Sequence, residues 1–434
     1  MYENINEELL DFLEQSPTCF HVIANIRKAL KDAGYEELTE GRVWNLQEGG
    51  KYFAVRNESS VIAFRIPRKD FTGFMIAASH SDSPSFKIKT NPEIAREGYV
   101  KLNVERYGGM LMAPWFDRPL SAAGRIIVQE DGVFKTKLVN VDRDLLMIPN
   151  LAIHMDRTAN EGHKYNAQTD MEPIIAQGEA GQFMKTIAEA CGVKEEDILA
   201  HDLFLYARGR GTVWGINREF ISAGHLDDLQ CSFADLKAFI DSESTDSVPV
   251  LAVFDNEEVG SGTKQGANST FLEDVLSRIG DGCGKSAEQM KAAAASSFMV
   301  SADNAHAVHP NYADKADPVN RPQMNKGIVI KYNANQKYTT DAVSAAVFTQ
   351  ICASAGIPVQ DFTNRSDMPG GSTLGNISNS HISLNTVDIG LAQLAMHSPY
   401  ETAGTKDTAY LAEAVRKFFS VSFRDEGQGM WSLK

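Results

Sequence analysis

Residues 248–260, VPVLAVFDNEEVG, place several carboxylates directly after an apolar run, and this stretch decides the fold class. The first seven residues are typical of a strand that is buried on both faces of an α/β sheet. The carboxylates of Asp255, Glu257 and Glu258 then follow within four positions. Like charges this close raise each other's pKa unless a cation compensates them. The motif alone therefore fits either a metal site or a solvated turn at the edge of the sheet.

Two further apolar runs also end in polar side chains. GFMIAA, residues 73–78, comes shortly before His80 and Asp82, and SSFMVSA, residues 296–302, comes directly before Asp303. Sites in open α/β sheets form beyond the carboxyl ends of the strands. A carboxylate beside a histidine can orient the imidazole as a metal ligand. Taken alone, however, His-x-Asp is more often part of a surface loop.

Asp227, in the segment LDDL, and His397, in the segment MHS, complete the set of candidates. Each is weak alone, because a lone histidine is more often a hydrogen-bonded core residue and an aspartate often caps a helix. Jointly, carboxylates and imidazoles are the ligands that hard and borderline metals prefer. One bridging carboxylate with two further ligands per ion describes a two-metal hydrolase. In that interpretation Glu258 binds a metal, and Glu257 is the general base toward the attacking water.

The composition is that of a soluble globular protein with a large core. The chain has 434 residues, of which 43% are hydrophobic and 23% charged, and this length favours two domains. The net charge of −15 provides no basic surface for nucleic acid. No apolar run is long enough to predict a membrane span, and the acidic N-terminus does not resemble a secretory leader, so we expect a cytoplasmic protein. The five cysteines lack a CxxC pair, and we expect reduced, mostly buried thiols: Cys19, Cys191, Cys231, Cys283 and Cys352.

The pattern of apolar residues divides the chain into an α/β part and a β-rich part. Helical spacing predicts helices at 20–35, 181–191, around 235–240, and at 287–295, 342–355 and 408–419. Apolar runs predict strands near 52–55, 61–64, 202–207 and 327–332. Between residues 99 and 141 the residues alternate, and Asp131-Gly132 indicates a hairpin, whereas 161–182 is expected to be loop. We therefore predict an α/β domain, residues 1–90 and 221–434, interrupted by a β-rich insertion, residues 91–220.

At this point the motifs can be compared with a known family. The chain resembles the M18 aminopeptidases, the aspartyl aminopeptidase family, over nearly its whole length. The resemblance begins at SPTCFH, residues 16–21, and its specific parts follow in the family order. They are HSDSP (80–84), LDD (226–228), DNEEVGS (255–261), SAD (301–303), KGIVIK (326–331) and MHS (396–398). The resemblance implies a three-layer metallopeptidase domain with a mixed sheet, and a second domain that mediates dimerisation and further subunit association.

The resemblance also implies a set of metal ligands. Two divalent ions are expected in each subunit, with Zn²⁺ as the first choice and Co²⁺ or Mn²⁺ as alternatives. Asp227 bridges the two ions, His80 and Asp303 complete one site, and Glu258 and His397 complete the other. Two positions depart from many family members: Cys19 replaces Pro, and Asp228, beside the bridging ligand, replaces Asn. An extra carboxylate at position 228 leaves the identity of the metal open.

Four further residues receive roles by resemblance. Asp82 orients His80, and Glu257 takes a proton from the attacking water and passes it to the leaving amine. Lys331 meets the acidic first side chain of the substrate; the alternative is a lysine on a solvated strand edge. His154 reaches the active site of a neighbouring subunit in a tetrahedral dodecamer; the alternative is a hydrogen-bonded structural histidine. The segment GGSTLG, residues 370–375, falls in a loop near the substrate pocket.

The predicted function is a metal-dependent aminopeptidase that acts on peptides with a free N-terminus, preferably an Asp or Glu. Two alternatives stay open. A deacylase acting on small amides would use the same metals on a different bond. A non-catalytic scaffold on this fold is disfavoured, because such a protein is expected to have lost ligands, whereas all five ligands and Glu257 are present.

Overall fold

The computed structural model describes residues 2–243 and 246–434. The helices in this part of the chain are α1 (Tyr2–Glu14), α2 (Cys19–Asp32), α3 (Phe183–Cys191), α4 (Leu226–Asp241), α5 (Phe271–Gly282), α6 (Ala287–Ala295), α7 (Ala342–Ser354), α8 (Leu374–Ser378) and α9 (Asp407–Phe419). The strands of the first half are β1 (Glu36–Leu38), β2 (Lys51–Arg56), β3 (Ser60–Arg65), β4 (Phe74–His80), β5 (Ser85–Arg96), β6 (Tyr99–Tyr107), β7 (Leu120–Glu130), β8 (Val133–Asn140), β9 (Ile174–Gln177), β10 (Ile198–Ala207), β11 (Thr212–Trp214) and β12 (Phe220–Ala223). Those of the second half are β13 (Val248–Phe254), β14 (Phe298–Ala302), β15 (Ala305–His306), β16 (Ile328–Tyr332), β17 (Val359–Thr363), β18 (Asn385–Gly390), β19 (Ala392–Leu394), β20 (Glu401–Gly404), β21 (Phe423–Gly427) and β22 (Met430–Leu433).

A nine-stranded mixed sheet forms the centre of the α/β part, with the order β1-β2-β3-β13-β4-β14-β18-β16-β17. Its middle strands β13, β4, β14 and β18 run parallel to one another, whereas β3 pairs antiparallel with β13, and β16 pairs antiparallel with β18 and parallel with β17. One face of the sheet packs against α1, α2, α4, α7 and α9, and the other against α5, α6 and α8. The predicted three-layer α/β fold with a mixed sheet is confirmed.

The continuous apolar runs of the sequence are the middle strands of this sheet. All seven residues of β4 and all seven of β13 are buried. In β4, Met75 and Ala77 belong to the core on one face, and Phe74, Ile76 and Ala78 to the core on the other. A strand covered by helices on both faces has no solvated side, so its residues cannot alternate between apolar and polar.

The β-rich part forms a separate antiparallel sheet of six strands in the order β8-β7-β10-β5-β6-β9, with its own apolar core. The hairpin predicted at Asp131-Gly132 joins β7 to β8, and both turn residues have positive φ, as a type I′ turn requires. This sheet begins at Ser85, only four residues after β4 ends. The division of the chain into domains at residues 90/91 and 220/221 stays a prediction.

One feature of the sequence was interpreted incorrectly, and the length of another was underestimated. Part of the expected loop at 161–182 is β9, which pairs with the edge of β6. The helix expected around 235–240 begins as early as Leu226. Neither is visible in the periodicity, because β9 depends on its partner strand and α4 is buried over most of its length. A third sheet, β11-β12-β20-β19-β15, lies beside the main sheet and carries the segment that holds His397.

Candidate metal centre

Three neighbouring strands of the main sheet end at one edge and bring their polar residues together. β13, β4 and β14 are parallel, and the register pairs Phe254 with His80. The turn that carries Glu257 and Glu258 follows β13, and Asp303 follows β14. Since the carboxyl ends of parallel strands point to the same edge, residues more than 200 positions apart converge there.

Asp227 lies between two histidines at this edge. It is 3% exposed at the start of α4. Its Oδ1 lies 3.7 Å from His80 Nε2, and its Oδ2 lies 3.5 Å from His397 Nε2. His397 Nε2 is also 3.4 Å from Glu258 Oε2. Each oxygen of one carboxylate thus faces a different group of ligand-type side chains, which is the arrangement of a bridging carboxylate.

Several combinations of these side chains are close enough to share an ion. Ligand atoms lie within 4.8 Å of one another in three groups: His80 with Glu257 and Glu258; His80 with Asp227 and Asp228; and Asp227 with Glu258 and His397. Asp303 lines the same cavity but belongs to none of these groups. Its Oδ1 lies 3.4 Å from the ammonium of Lys331.

The residues present fit a metal ion. Three buried carboxylate oxygens, Asp227 Oδ1, Asp228 Oδ1 and Glu258 Oε1, have no hydrogen-bond partner in the described part of the chain. Leaving anionic oxygens buried and unpartnered is costly, and a bound cation removes that cost. Imidazole with carboxylate is also a donor set that Zn²⁺ accepts.

The pKa shifts show how burial and neighbouring charges affect the ionisation of the acids at this edge. Burial, together with the charge of Asp227, raises the pKa of Glu258 well above its ordinary value. Burial is also the main reason that the pKa of Glu257 rises to about 8. Burial opposes ionisation of Asp227 as well, but the nearby imidazoles of His397 and His80 outweigh this and lower its pKa. Positive charge is therefore favoured here, whether from protons or from a metal that displaces them.

Asp82 accepts hydrogen bonds from the groups around it. Its Oδ1 lies 3.4 Å from His80 Nδ1, and its backbone carbonyl oxygen lies 3.1 Å from the same nitrogen. The backbone N–H groups of Glu257 and Glu258 donate to its two oxygens at 3.1 and 3.2 Å. A carboxylate behind a ligating histidine fixes the ring orientation and the tautomer.

Glu401 is a buried residue of this centre that the sequence analysis missed. It lies on β20 and is 2% exposed. Its Oε2 accepts from the backbone N–H of Asp227 at 2.9 Å, and its Oε1 accepts from that of His397 at 2.7 Å. Its position four residues after His397 was the only signal in the sequence. Burial raises the pKa of Glu401 to about 8.

A cavity of about 340 Å³ opens over the metal centre. Lys331 lines it from β16 and is 2% exposed. Its ammonium donates to the carbonyl oxygen of Asn304 at 3.0 Å and lies 5.4 Å from the ring centre of Tyr338. Burial lowers the pKa of Lys331, but the nearby Asp303 carboxylate outweighs this and raises it, so the ammonium stays charged. Residues 371–373 of the GGSTLG segment line the same cavity.

Two residues singled out in the sequence do not line the cavity. His154 is exposed in the loop after Ile148 and is not among the residues that line the cavity of its own subunit. Asp228 is fully buried behind His80, where its Oδ2 accepts from the backbone N–H of His80 at 3.2 Å. The five cysteines are free, and three of them are buried.

The fold and the site together define an α/β metallohydrolase. The sequence model of the M18 peptidase family, which is described as aminopeptidase I zinc metalloprotease, matches residues 12–419 of this chain. The chain therefore belongs to the M18 family of zinc metallo-aminopeptidases, hydrolases that act on peptide bonds. This confirms the resemblance deduced from the sequence motifs.

Known relatives are similar over almost their whole length. The chain is 47% identical to the probable M18 family aminopeptidase 2 of Clostridium acetobutylicum over 425 residues, which cover 96% of this chain and 98% of the relative. A chain in the cryo-EM structure of the complex of Ape4 and Nbr1 superimposes with a TM-score of 0.93 at 36% identity, covering 96% of this chain and 86% of that one. The S. cerevisiae mApe1 dodecamer superimposes with a TM-score of 0.84 at 29% identity, covering 96% and 97%. In the described residues, no helix combines the length and apolarity that crossing a bilayer requires.

Proposed function

We propose that this protein removes single residues from the N-terminus of peptides, with two divalent metal ions per subunit and a preference for Asp or Glu at the N-terminus. The observation that carries the proposal is the position of Asp227, whose two oxygens lie 3.7 and 3.5 Å from the Nε2 atoms of His80 and His397. A carboxylate that faces two ligand groups is suited to hold two ions side by side.

In this proposal the ligands of the first ion are His80, Asp227 and Asp303, and those of the second are Asp227, Glu258 and His397. Bound zinc supplies Lewis acidity that polarises the scissile carbonyl and eases deprotonation of water. To bind the first ion, the Asp303 carboxylate would give up part of its ion pair with Lys331 and contact the metal instead. Asp228 stands behind His80, and its free Oδ1 supports Co²⁺ or Mn²⁺ as alternatives to Zn²⁺.

Glu257 is the proposed general base. It is adjacent to Glu258 in sequence, faces the same cavity, and has a pKa raised to about 8 by burial and neighbouring acids. Bound cations would lower that pKa and leave a carboxylate able to accept a proton from the attacking water. The same carboxyl group then gives the proton to the leaving amine.

Lys331 is the proposed recognition group for an acidic first side chain. Its ammonium lines a cavity whose other polar residues are acids, histidines, hydroxyls and one asparagine. Changing Lys331→Met should lower kcat/KM for Asp and Glu substrates roughly 10- to 100-fold, the value of a charge-assisted hydrogen bond, and leave neutral substrates little affected. Zinc content must be measured in parallel, because the change also removes a partner of Asp303. Lys326→Met, on the exposed approach to the same strand, is the control, and an unchanged substrate profile would refute this role.

The decisive experiment is a panel of amino-acyl chromogenic substrates, assayed after metal removal and after readdition of Zn²⁺, Co²⁺ or Mn²⁺. We expect activity to disappear with the metal, to return with it, and to be highest on Asp or Glu. N-acetylated forms of the same substrates should resist hydrolysis, whereas a deacylase would favour them. Absence of activity on every free-amine substrate with every metal would overturn the proposal.

We also propose that the protein forms a homo-oligomer, with a tetrahedral dodecamer as the expected form. The structure of mApe1 to which it is similar is titled a dodecamer. The loop that carries His154 exposes Leu151 by 59% and Met155 by 74%, and exposed apolar side chains at this density mark contact surfaces. A cytoplasmic location stays a prediction.

A further inference from the structure

The segment Tyr107–Leu111 leaves the end of β6 in the six-stranded sheet and runs directly against the candidate metal centre. None of its residues carries a metal-ligand side chain. Three contacts nevertheless join it to Asp82, Glu258 and His397, all of which come from other parts of the fold.

The first contact is the hydroxyl of Tyr107, whose hydrogen-bond direction is determined by its surroundings. Asn256 Oδ1 already accepts from Thr263 and Gln265, so its amide nitrogen must point the other way and donate to Tyr107 Oη at 2.7 Å. The hydroxyl hydrogen is then available for Asp82 Oδ2, also at 2.7 Å. Tyr107 is therefore a donor to the carboxylate that orients His80.

The second contact is the close approach of Gly108 to Glu258. A Cβ at this glycine would lie 3.2 Å from Glu258 Cβ and 3.3 Å from its carbonyl oxygen, and the backbone has φ of +77°. Contacts this short require a neighbour to shift, and positive φ is unfavourable for other residues. The absence of a side chain at position 108 thus lets the loop support Glu258.

The third contact is made to the backbone of His397. The backbone N–H of Leu111 donates to the carbonyl oxygen of His397 at 3.1 Å. This hydrogen bond ties the segment to the stretch of chain that carries the His397 ring.

We propose that Tyr107–Leu111 is a positioning segment by which the six-stranded sheet completes the metal centre, with Tyr107 as its main positioning residue. The proposal rests on the metal centre proposed above. It assigns the β-rich part a role in metal affinity in addition to any role in subunit association. The ligands themselves all come from the α/β part, but their orientation depends on this segment.

The test uses the full-length protein and two pairs of variants. Tyr107→Phe removes one hydroxyl, and Tyr99→Phe, on the same strand and 43% exposed, is its control. Gly108→Ala adds a methyl group against Glu258. Gly98→Ala is its matched control, because Gly98 has φ of +80° but no atom within 4 Å of the added Cβ. The dissociation constant of Zn²⁺ is measured by competition with a chelating indicator, together with the oligomeric state and the Tm of the metal-free protein.

We expect Tyr107→Phe to weaken zinc binding roughly tenfold or more, the usual effect of removing a group behind a ligand, and Gly108→Ala to weaken it further. Both controls should stay within about twofold of wild type, and the metal-free Tm and oligomeric state of Tyr107→Phe should not change. Zinc affinities of Tyr107→Phe and Gly108→Ala that equal those of their controls would overturn the inference. So would a Tyr107→Phe protein whose metal-free Tm or assembly falls along with its affinity, since that would indicate a general structural role. If wild-type protein binds no zinc, the proposed metal centre itself is wrong.

Discussion

At the scale of single residues, the centre depends on buried acids that differ in what surrounds them. Asp227 faces two imidazoles, which outweigh burial and keep its pKa low. Glu257 and Glu258 face mainly other acids, and burial raises the pKa of each. Buried carboxylates of one centre therefore differ in their affinity for a proton according to their neighbours.

The role of Glu257 can be tested with an isosteric change. Glu257→Gln retains the shape of the side chain but cannot accept a proton, so kcat should fall by roughly 10²- to 10⁴-fold. Zinc content, measured by elemental analysis, should stay at the wild-type ratio. The control is Glu273→Gln, on the exposed side of α5. A variant that keeps most of its turnover would require another base.

Glu401 should control the affinity of the metal centre without contacting a metal. Its two oxygens accept from the backbones of Asp227 and His397. Glu401→Gln keeps one acceptor and turns an NH₂ group toward the other N–H, whereas Glu401→Ala removes both acceptors. We expect zinc affinity to fall roughly 10- to 100-fold, with Ala worse than Gln, in a chelator competition. Equal affinity in wild type and both variants would mean that the backbone holds the two ligands without Glu401.

At the scale of elements, α4 combines a proposed metal ligand, Asp227, at its start with a buried acid further along. Of its side chains, Asp235 is fully buried, and neither carboxylate oxygen has a hydrogen-bond partner in the described residues. Burial raises the pKa of Asp235 well above its ordinary value. Unlike the acids at the sheet edge, Asp235 is remote from the proposed ligands, so its effect should be on stability alone.

The sign of this effect follows from proton linkage. The folded protein keeps the Asp235 proton at pH values where the unfolded chain, with a pKa of about 3.9, has lost it. The free energy of unfolding should therefore decrease as pH rises above about 4, until the higher folded-state pKa is reached. Asp235→Asn cannot ionise and should lack this decrease.

Urea unfolding at pH 5 and pH 8 provides the measurement. Between pH 5 and pH 8, the free energy of unfolding of wild type should fall by at least about 1.4 kcal/mol more than that of Asp235→Asn. This difference corresponds to a shift of one pKa unit. Asp241→Asn, at the exposed end of the same helix, is the control and should behave as wild type. Parallel pH dependence in all three proteins would show that Asp235 has an unrecognised partner.

At the scale of the whole molecule, the exposed position of His154 suggests a test of subunit cooperation. If His154 completes the active site of a neighbour, His154→Ala and Glu257→Gln damage different halves of a shared site. Each variant should be weakly active alone, and co-expressed subunits should form mixed oligomers that regain activity. The purified mixed oligomer should exceed the sum of the separate variants several-fold. A mixture of His154→Ala with the double variant is the control, and it should regain nothing.

The sequence predicted the α/β layers because their signal is local. Strands β4, β13 and β14 are continuous apolar runs, and each ends in a polar residue that the sheet brings to one edge. The hairpin at Asp131-Gly132 is likewise encoded in two adjacent residues. Strand β9 was missed, since it depends on its pairing with β6 and carries no periodic pattern of its own.

The residues of the candidate site likewise divide into those that the sequence indicates and those that only the structure reveals. Glu257 and Glu258 stand out as adjacent carboxylates after a strand, and the family motifs point to Asp227 and His397. By itself the sequence thus determined the fold class, the family and the chemical types at the centre, because apolar runs and short motifs are contiguous. Only the tertiary structure placed Glu401 behind two ligands and Tyr107 on Asp82. These contacts join backbone groups and hydroxyls from distant segments, and the packing of separate sheets, which no local pattern records, brings them within hydrogen-bond distance.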